Sequence, residues 1–137
     1  MQNMAKKQKN NAKAKGTFLT IPSNLLRPVG VFLSNNLRNL KKRKKLIEKE
    51  DPFSNTSRVD DNASPDTDAA EQYGHARTSA IREQINKNII QTRKALTRVK
   101  IGKYAICEDC GNMIDTDRLM VYPEATLCAS CQAKREK

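Results

Sequence analysis

Between Asn24 and Glu50, apolar side chains recur at Leu25, Val29, Phe32, Leu33, Leu37, Leu40 and Ile47, the alternating three-and-four spacing that gathers them on one side of an α-helix. The spacing predicts a long amphipathic helix with Ser23 or Asn24 as its cap and Pro52 enforcing its end, and it requires Pro28 to fall in the first turn. A second stripe of Ile81, Ile85, Ile89, Leu96 and Val99 runs to about Lys100 and is broken once, by Thr92. Its start is expected at Ser64, Pro65 and Asp66, where serine caps, proline takes the first helical position and aspartate faces the positive end of the dipole. Gly74 weakens the early turns by about 1 kcal/mol relative to alanine, so residues 65–78 are expected to fray or to be partly loop.

Neither helix can hide its narrow stripe alone. The economical solution is to press the two stripes together, so the fold class is expected to be mainly α: an antiparallel helical hairpin of coiled-coil type over residues 23–103, with an acidic loop at 51–68. The first helix alone would be a rod of roughly 40 Å. Ahead of it, residues 1–22 hold Lys6, Lys7, Lys9, Lys13 and Lys15 without apolar periodicity and are expected to be a disordered basic arm, whose last part, Phe18 to Pro22, docks on the hairpin. Residues 104–137 form a separate small unit.

Composition sharpens this picture. In 137 residues, 37% are apolar and 4% aromatic, which leaves little material for a large core and calls for some other source of stability. The net charge of +11 is laid down in blocks: residues 1–50 carry 13 basic and 2 acidic side chains, residues 51–78 carry 2 and 6, and residues 79–103 carry 7 and 1. A polyanionic partner is implied. The run Lys41, Lys42, Arg43, Lys44 and Lys45 is too polar for a core and must form a solvated positive sector. With Arg93, Lys94, Arg98, Lys100 and Lys103 it supplies the candidates for phosphate contact. The aromatic residues are not interleaved with the basic run, so no base-stacking platform is implied. The acidic candidates Asp60, Asp61, Asp66 and Asp68 cluster around the expected tip of the hairpin, without the glycine and terminal glutamate of a calcium loop.

The four cysteines supply the missing stabiliser. They read CEDC, 17 residues, CASC, and each two-residue gap lets both thiolates reach one ion from a tight turn. Cys107, Cys110, Cys128 and Cys131 are therefore expected to hold one Zn²⁺ in a closed tetrahedral site that stabilises and does not catalyse. Between the pairs, Gly111, Pro123 and short apolar pieces such as Leu119 to Tyr122 suit a small hairpin, and Leu127 to Lys134 suit a helix carrying the last pair at its first turn. Paired cysteines without a secretory signal imply a reducing, cytoplasmic setting, and the apolar run at Leu25 to Leu33, cut by Arg27 and Pro28, implies no membrane span. No constellation of nucleophile and base appears, so neither an enzyme nor a small-molecule substrate is expected. His75, the single histidine, is expected to be solvent-exposed.

The stretch GKYAICEDCGNMIDTDRLMVYPEATLCASC closely resembles the C-terminal zinc finger of the DksA/TraR family of bacterial transcription regulators. The shared features are Tyr104 ahead of the first cysteine pair, Gly111 after it, Arg118 with Leu119, and the run from Pro123 to Cys128. The resemblance implies a finger preceded, in longer members, by a coiled-coil hairpin that enters the secondary channel of RNA polymerase with acidic residues at its tip. The family tip motif Asp-Pro-x-Asp-x-Ala falls on Ser64, Pro65, Asp66, Thr67, Asp68 and Ala69. The proline and alanine agree, while both aspartate positions are replaced and acids stand one residue away, at Asp66 and Asp68. A different reading of the same scaffold is a basic RNA- or ribosome-associated protein that uses Lys41 to Lys45 and the arm as phosphate contacts.

Overall fold

The computed structural model describes residues 21–54 and 65–137. Expectations for the arm, for the Ser64 cap and for Asp60 and Asp61 lie largely outside those residues. Helix α1 (Ser23–Glu50) is followed by the single turn Pro52–Ser54, and helix α2 (Pro65–Lys100) returns alongside it. Two short helices, α3 (Thr116–Val121) and α4 (Ala129–Arg135), complete the C-terminal unit, which contains one isolated antiparallel bridge between Ile106 and Met113. The chain is mainly helical.

The register of the hairpin follows from three close approaches. A β-carbon at Gly30 would stand 3.4 Å from Val99 Cγ1, one at Gly74 would stand 3.2 Å from Pro52 Cγ, and His75 bonds Asp51. The helices are thus antiparallel. The seam on α1 runs Leu26, Gly30, Leu33, Leu37, Leu40, Lys44 and Ile47, alternating steps of four and three as a coiled coil requires. Leu26 is 4% exposed and Leu33 is 0% exposed, whereas Leu25 and Phe32 are 71% and 56% exposed. Of the expected stripe, Leu25 and Phe32 therefore fall outside the contact, while Leu33 is buried and Val29 packs at the edge of the cluster at the base of the hairpin. Positions 25 and 32 have the same helical spacing as 26 and 33, and only the second pair is buried. Fully burying a leucine such as Leu33 contributes about 1.5–3 kcal/mol.

On α2 the buried positions are Ile85, Ile89, Thr92 and Ala95. Thr92 does not interrupt the seam. It is 0% exposed, and its hydroxyl donates to the Asn88 carbonyl at 2.8 Å, so the polar group is satisfied inside its own helix and the methyl packs. Two further expectations are corrected. Pro28 is the sixth residue of α1 and lies beyond the first turn, on an exposed stretch where water can serve the Asn24 carbonyl that a proline leaves unbonded. Residues 65–78 are helical throughout, and Gly74 is the point where the Pro52 ring lies against α2.

The far end of the hairpin is closed by a latch that the sequence pattern did not show. Asp51, buried just past α1, bonds the His75 Nδ1 through both carboxylate oxygens, at 2.8 and 3.0 Å, and accepts the Phe53 amide at 3.1 Å. The Phe53 ring meets the imidazole edge-on at 4.8 Å. His75 is accordingly a partnered side chain and not a free one. Residues 65–74 of α2 precede this contact, so about 15 Å of helix projects beyond the end of α1.

The bond from His75 holds the Asp51 carboxyl below the usual aspartate range, with the Phe53 amide and the Arg82 charge acting in the same direction against the cost of burial. A lowered folded-state pKa means that the contribution is full above the unfolded value near 4 and is lost only as pH falls through the lower one. Protection of the Phe53 amide against exchange, followed from neutral to acid pH, is expected to persist through pH 4 and vanish below it; loss with a midpoint above pH 4 would contradict the latch.

Candidate metal centre

The site is built where α2 ends. Gly102, at φ 72°, lets the chain reverse: its amide bonds the Val99 carbonyl at 3.2 Å, and the Lys103 amide bonds the Arg98 carbonyl at 2.9 Å. This is a Schellman termination, and the glycine meets its left-handed requirement without strain. The Ile21 amide bonds the Gly102 carbonyl at 3.1 Å, which ties the entry of α1 to the same turn.

Beyond it, Tyr104 and Ala105 pack with Leu26, Leu33 and Ala95 in the cluster at the base of the hairpin. Ala105 sits at φ 65°, an uncommon conformation for a residue with a β-carbon, and its carbonyl accepts the Ile114 amide at 2.7 Å. Cys107 then opens a tight loop in which its amide bonds the Asn112 carbonyl at 2.8 Å and its carbonyl accepts the Gly111 amide at 3.1 Å. The second pair is held differently: Cys128 precedes α4 and Cys131 lies in its first turn. The Glu108 amide bonds the Thr126 carbonyl at 3.0 Å and brings the two loops together. Between them, Leu119 to Tyr122 do not form the expected small hairpin. Asp115 caps α3 by accepting the Asp117 amide at 3.1 Å, and Leu119 to Val121 lie within that helix.

The four sulfurs lie within 4.8 Å of one another, and Cys110 and Cys128 are separated by 3.8 Å. Four thiolates about 2.3 Å from a central zinc would stand roughly 3.8 Å apart, which matches, whereas a disulfide requires about 2.05 Å. All four cysteines are free thiols. Cys107 and Cys131 are buried, Cys128 is half-buried and Cys110 is exposed.

Proton sharing describes the cluster in chemical terms. Desolvation raises the Cys107 thiol, but the backbone amides of Cys110, Cys128 and Asp109 outweigh it and bring the group below its usual value. The Ser130 hydroxyl and the Cys131 amide bring Cys128 down to about 6, and the neighbouring Cys128 sulfur pushes Cys131 up to about 12. Amides and a hydroxyl thus favour thiolates on some sulfurs while mutual repulsion resists ionising all of them. A divalent soft-accepting cation at the centre removes that conflict. The donor set fits zinc, and the four cysteines form a C4 site for one structural ion.

The finger is joined to the rod by side chains whose positions the sequence did not single out for this role. Gln91 donates to the Glu124 carbonyl at 3.0 Å and to the Thr126 hydroxyl at 3.2 Å. Seven residues later on the same face of α2, Arg98 reaches the Ile106 carbonyl and pairs with Glu108 at 3.3 Å. Arg98, expected among the phosphate contacts, is therefore engaged inside the molecule. Tyr104 donates its hydroxyl to the Pro123 carbonyl at 2.8 Å, and Leu119 packs against both the hairpin-base cluster and the cysteine cluster. At the other extreme, Asp66 and Asp68 lie exposed in the first turn of α2, roughly 50 Å of helix from the cysteines.

Residues 102–137 match the family described as the prokaryotic dksA/traR C4-type zinc finger. Protein TraR of Escherichia coli (strain K12) is 43% identical over 44 residues, which take in 29% of this chain and 60% of TraR. The fold is similar to that of the transcription factor DksA2 from Pseudomonas aeruginosa, with a TM-score of 0.67 at 20% identity over 90% of this chain and 92% of that one. The resemblance read from the cysteine segment is borne out, and the hairpin shares the architecture of DksA2.

Removal of the ion tests the site. Structural zinc in small fingers contributes about 10–16 kcal/mol near pH 7, far more than this little cluster can replace by packing. The purified protein is expected to carry one zinc per chain, and Cys107→Ser or Cys131→Ser to release it and abolish the folded signals of residues 104–137. A finger that stays folded without metal in both variants would contradict a structural role.

Proposed function

We propose that the chain, whose residues 102–137 match the prokaryotic dksA/traR C4-type zinc finger, is a cytoplasmic transcription regulator that acts by binding bacterial RNA polymerase. It works in three parts: a basic arm at 1–22, a helical hairpin at 23–103 as the effector, and a zinc finger at 104–137 as the rigid base. Support comes from the likeness of the fold to a protein described as a transcription factor and from the family membership of the finger. Among the described residues, no helix is long and apolar enough to cross a membrane.

The observation that carries the reading is the placement of Asp66 and Asp68. Both stand exposed on the part of α2 that projects past α1, at the opposite end of the rod from the finger. A slender, rigid helix end bearing carboxylates is suited to reach into a narrow channel and act there by shape and charge, without covalent chemistry. The family motif places its acids at the positions of Ser64 and Thr67; here Asp66 and Asp68 stand one residue to either side of Thr67, about 100° around the helix from it in opposite directions. The tip therefore presents its charge on both flanks of that motif position.

Two measurements on one preparation test this. The zinc-loaded protein is expected to co-elute with purified bacterial RNA polymerase and to alter transcription from a test promoter. Asp66→Asn combined with Asp68→Asn should leave co-elution intact and remove the effect on transcription. Failure of the unmodified protein to bind polymerase would overturn the proposal.

A further inference from the structure

The seam register divides the basic residues of α1 in a way the run of five did not reveal. Lys44 occupies a seam position between Leu40 and Ile47, is half-buried, and pairs with Glu48 at 3.7 Å. Arg43 points to the flank that also carries Phe32 and Leu46, positions separated from it by helical steps of four and three. On the side of the helix away from α2, a different set lines up: Arg38, Lys42, Lys45 and Lys49, in steps of four, three and four, with Lys41 beside them. All five are exposed. None of them is paired with another described residue.

We propose that this ridge, Arg38, Lys41, Lys42, Lys45 and Lys49, is a docking surface for the phosphodiester backbone of a nucleic acid. The ridge follows the helix axis because its residues step by three and four, and α1 is held from behind by α2. From Arg38 to Lys49 it extends about 16 Å, over which a base-stacked single strand presents about five phosphates at roughly 3.4 Å each. Five like charges at helical neighbour spacing repel one another, and the one carboxylate within a helical step of them, Glu48 three residues after Lys45, is paired with Lys44. The outer face of α2 shows the ordinary arrangement by contrast, with Lys87 paired to Glu83 at 2.8 Å. The uncompensated ridge is complementary to a regular line of negative charge.

Other polyanions fit less well. A helix that settles on an anionic bilayer carries several large apolar side chains to insert beside its lysines, whereas beside these five cations stands Leu46, 59% exposed, with Val31, 56% exposed, two turns ahead of Arg38. With no aromatic side chain among the five cations, the surface has nothing on which to stack bases, so binding should depend on phosphate and not on sequence. The inference concerns a different face from the tip acids and needs no polymerase.

The test uses the full zinc-loaded chain and a fluorescent single-stranded RNA of random sequence, with affinity followed by anisotropy between about 50 and 200 mM salt. The comparison protein carries Arg38→Gln, Lys41→Gln, Lys42→Gln, Lys45→Gln and Lys49→Gln, replacements that keep helix propensity. Circular dichroism checks that the hairpin is retained. The lysines of residues 1–15 are common to both proteins, so the difference reports the ridge. The substituted protein is expected to bind more than about tenfold more weakly at the lower salt, with a salt slope shallower by about 0.7 for each phosphate it no longer neutralises. A third protein with all four lysines changed to arginine should bind as the unmodified one does. Equal affinity and equal slope for the unmodified and glutamine proteins would overturn the proposal. So would the loss of binding to phosphatidylserine vesicles with RNA binding unchanged.

Discussion

Four sulfurs confined within 4.8 Å cannot all carry charge unless a cation stands among them, and everything at the base of this molecule is arranged around that constraint. The apolar groups packed with the cysteines are few: Ile114 and Leu127, with Leu119 shared with the neighbouring cluster. Packing of that size does not fix the conformation of residues 104–137, which contain no strand and only two short helices. The ion does so by closing two loops on one centre. With the loops closed, Glu108 and Thr126 are in place to join each other and to be reached from α2 by Arg98 and Gln91. The direction of the finger relative to the rod is thus set by metal geometry carried through Arg98 and Gln91 on one helical face, together with the Tyr104 bond to Pro123 and the packing of Leu119 on the hairpin base.

That arrangement gives each end of the rod its own task. The base is rigid because α2 terminates at Gly102 directly into the finger, and because Ile21 is bonded to the same turn. The opposite end is held by a polar latch, Asp51 with His75, and beyond it α2 projects with Asp66 and Asp68 exposed. Between the two, the seam is a coiled coil of ordinary apolar residues with two polar members that are each accommodated locally. Thr92 turns its hydroxyl into its own helix, and Lys44 reaches Glu48 at the edge. A lysine at a seam position costs stability and fixes register, consistent with a single alignment of two helices of unequal length.

Much of this was legible in the sequence because the signals are chemical or periodic over many residues. Cysteine pairs with two-residue gaps specify a metal site almost regardless of context, and alternating three-and-four spacing specifies a helix with one buried side. What escaped depended on which partner surface each residue meets. Leu25 and Phe32 satisfy the helical spacing as well as Leu26 and Leu33 do, and only the position of α2 separates them. Thr92 and His75 read as an interruption and a surface residue because a hydroxyl bonded to Asn88 and an imidazole bonded across 24 positions leave no trace in local pattern. Ala105, at positive φ, carries no glycine to announce it. The acids of the tip and the lysines of α1 were recognised as charge; their division among faces waited on the register.

The central claim is that the ion organises the finger and, through it, the base of the hairpin. Amide hydrogen exchange of the zinc-loaded protein, compared with the same protein after chelation, tests it most directly. Chelation is predicted to erase protection at Cys107, Glu108 and Ile114, and to lower it at Ile21 and Gly102, while amides around Ile85 and Ile89 keep theirs. Unchanged protection at Glu108 and Ile114 after the metal is gone would contradict the account.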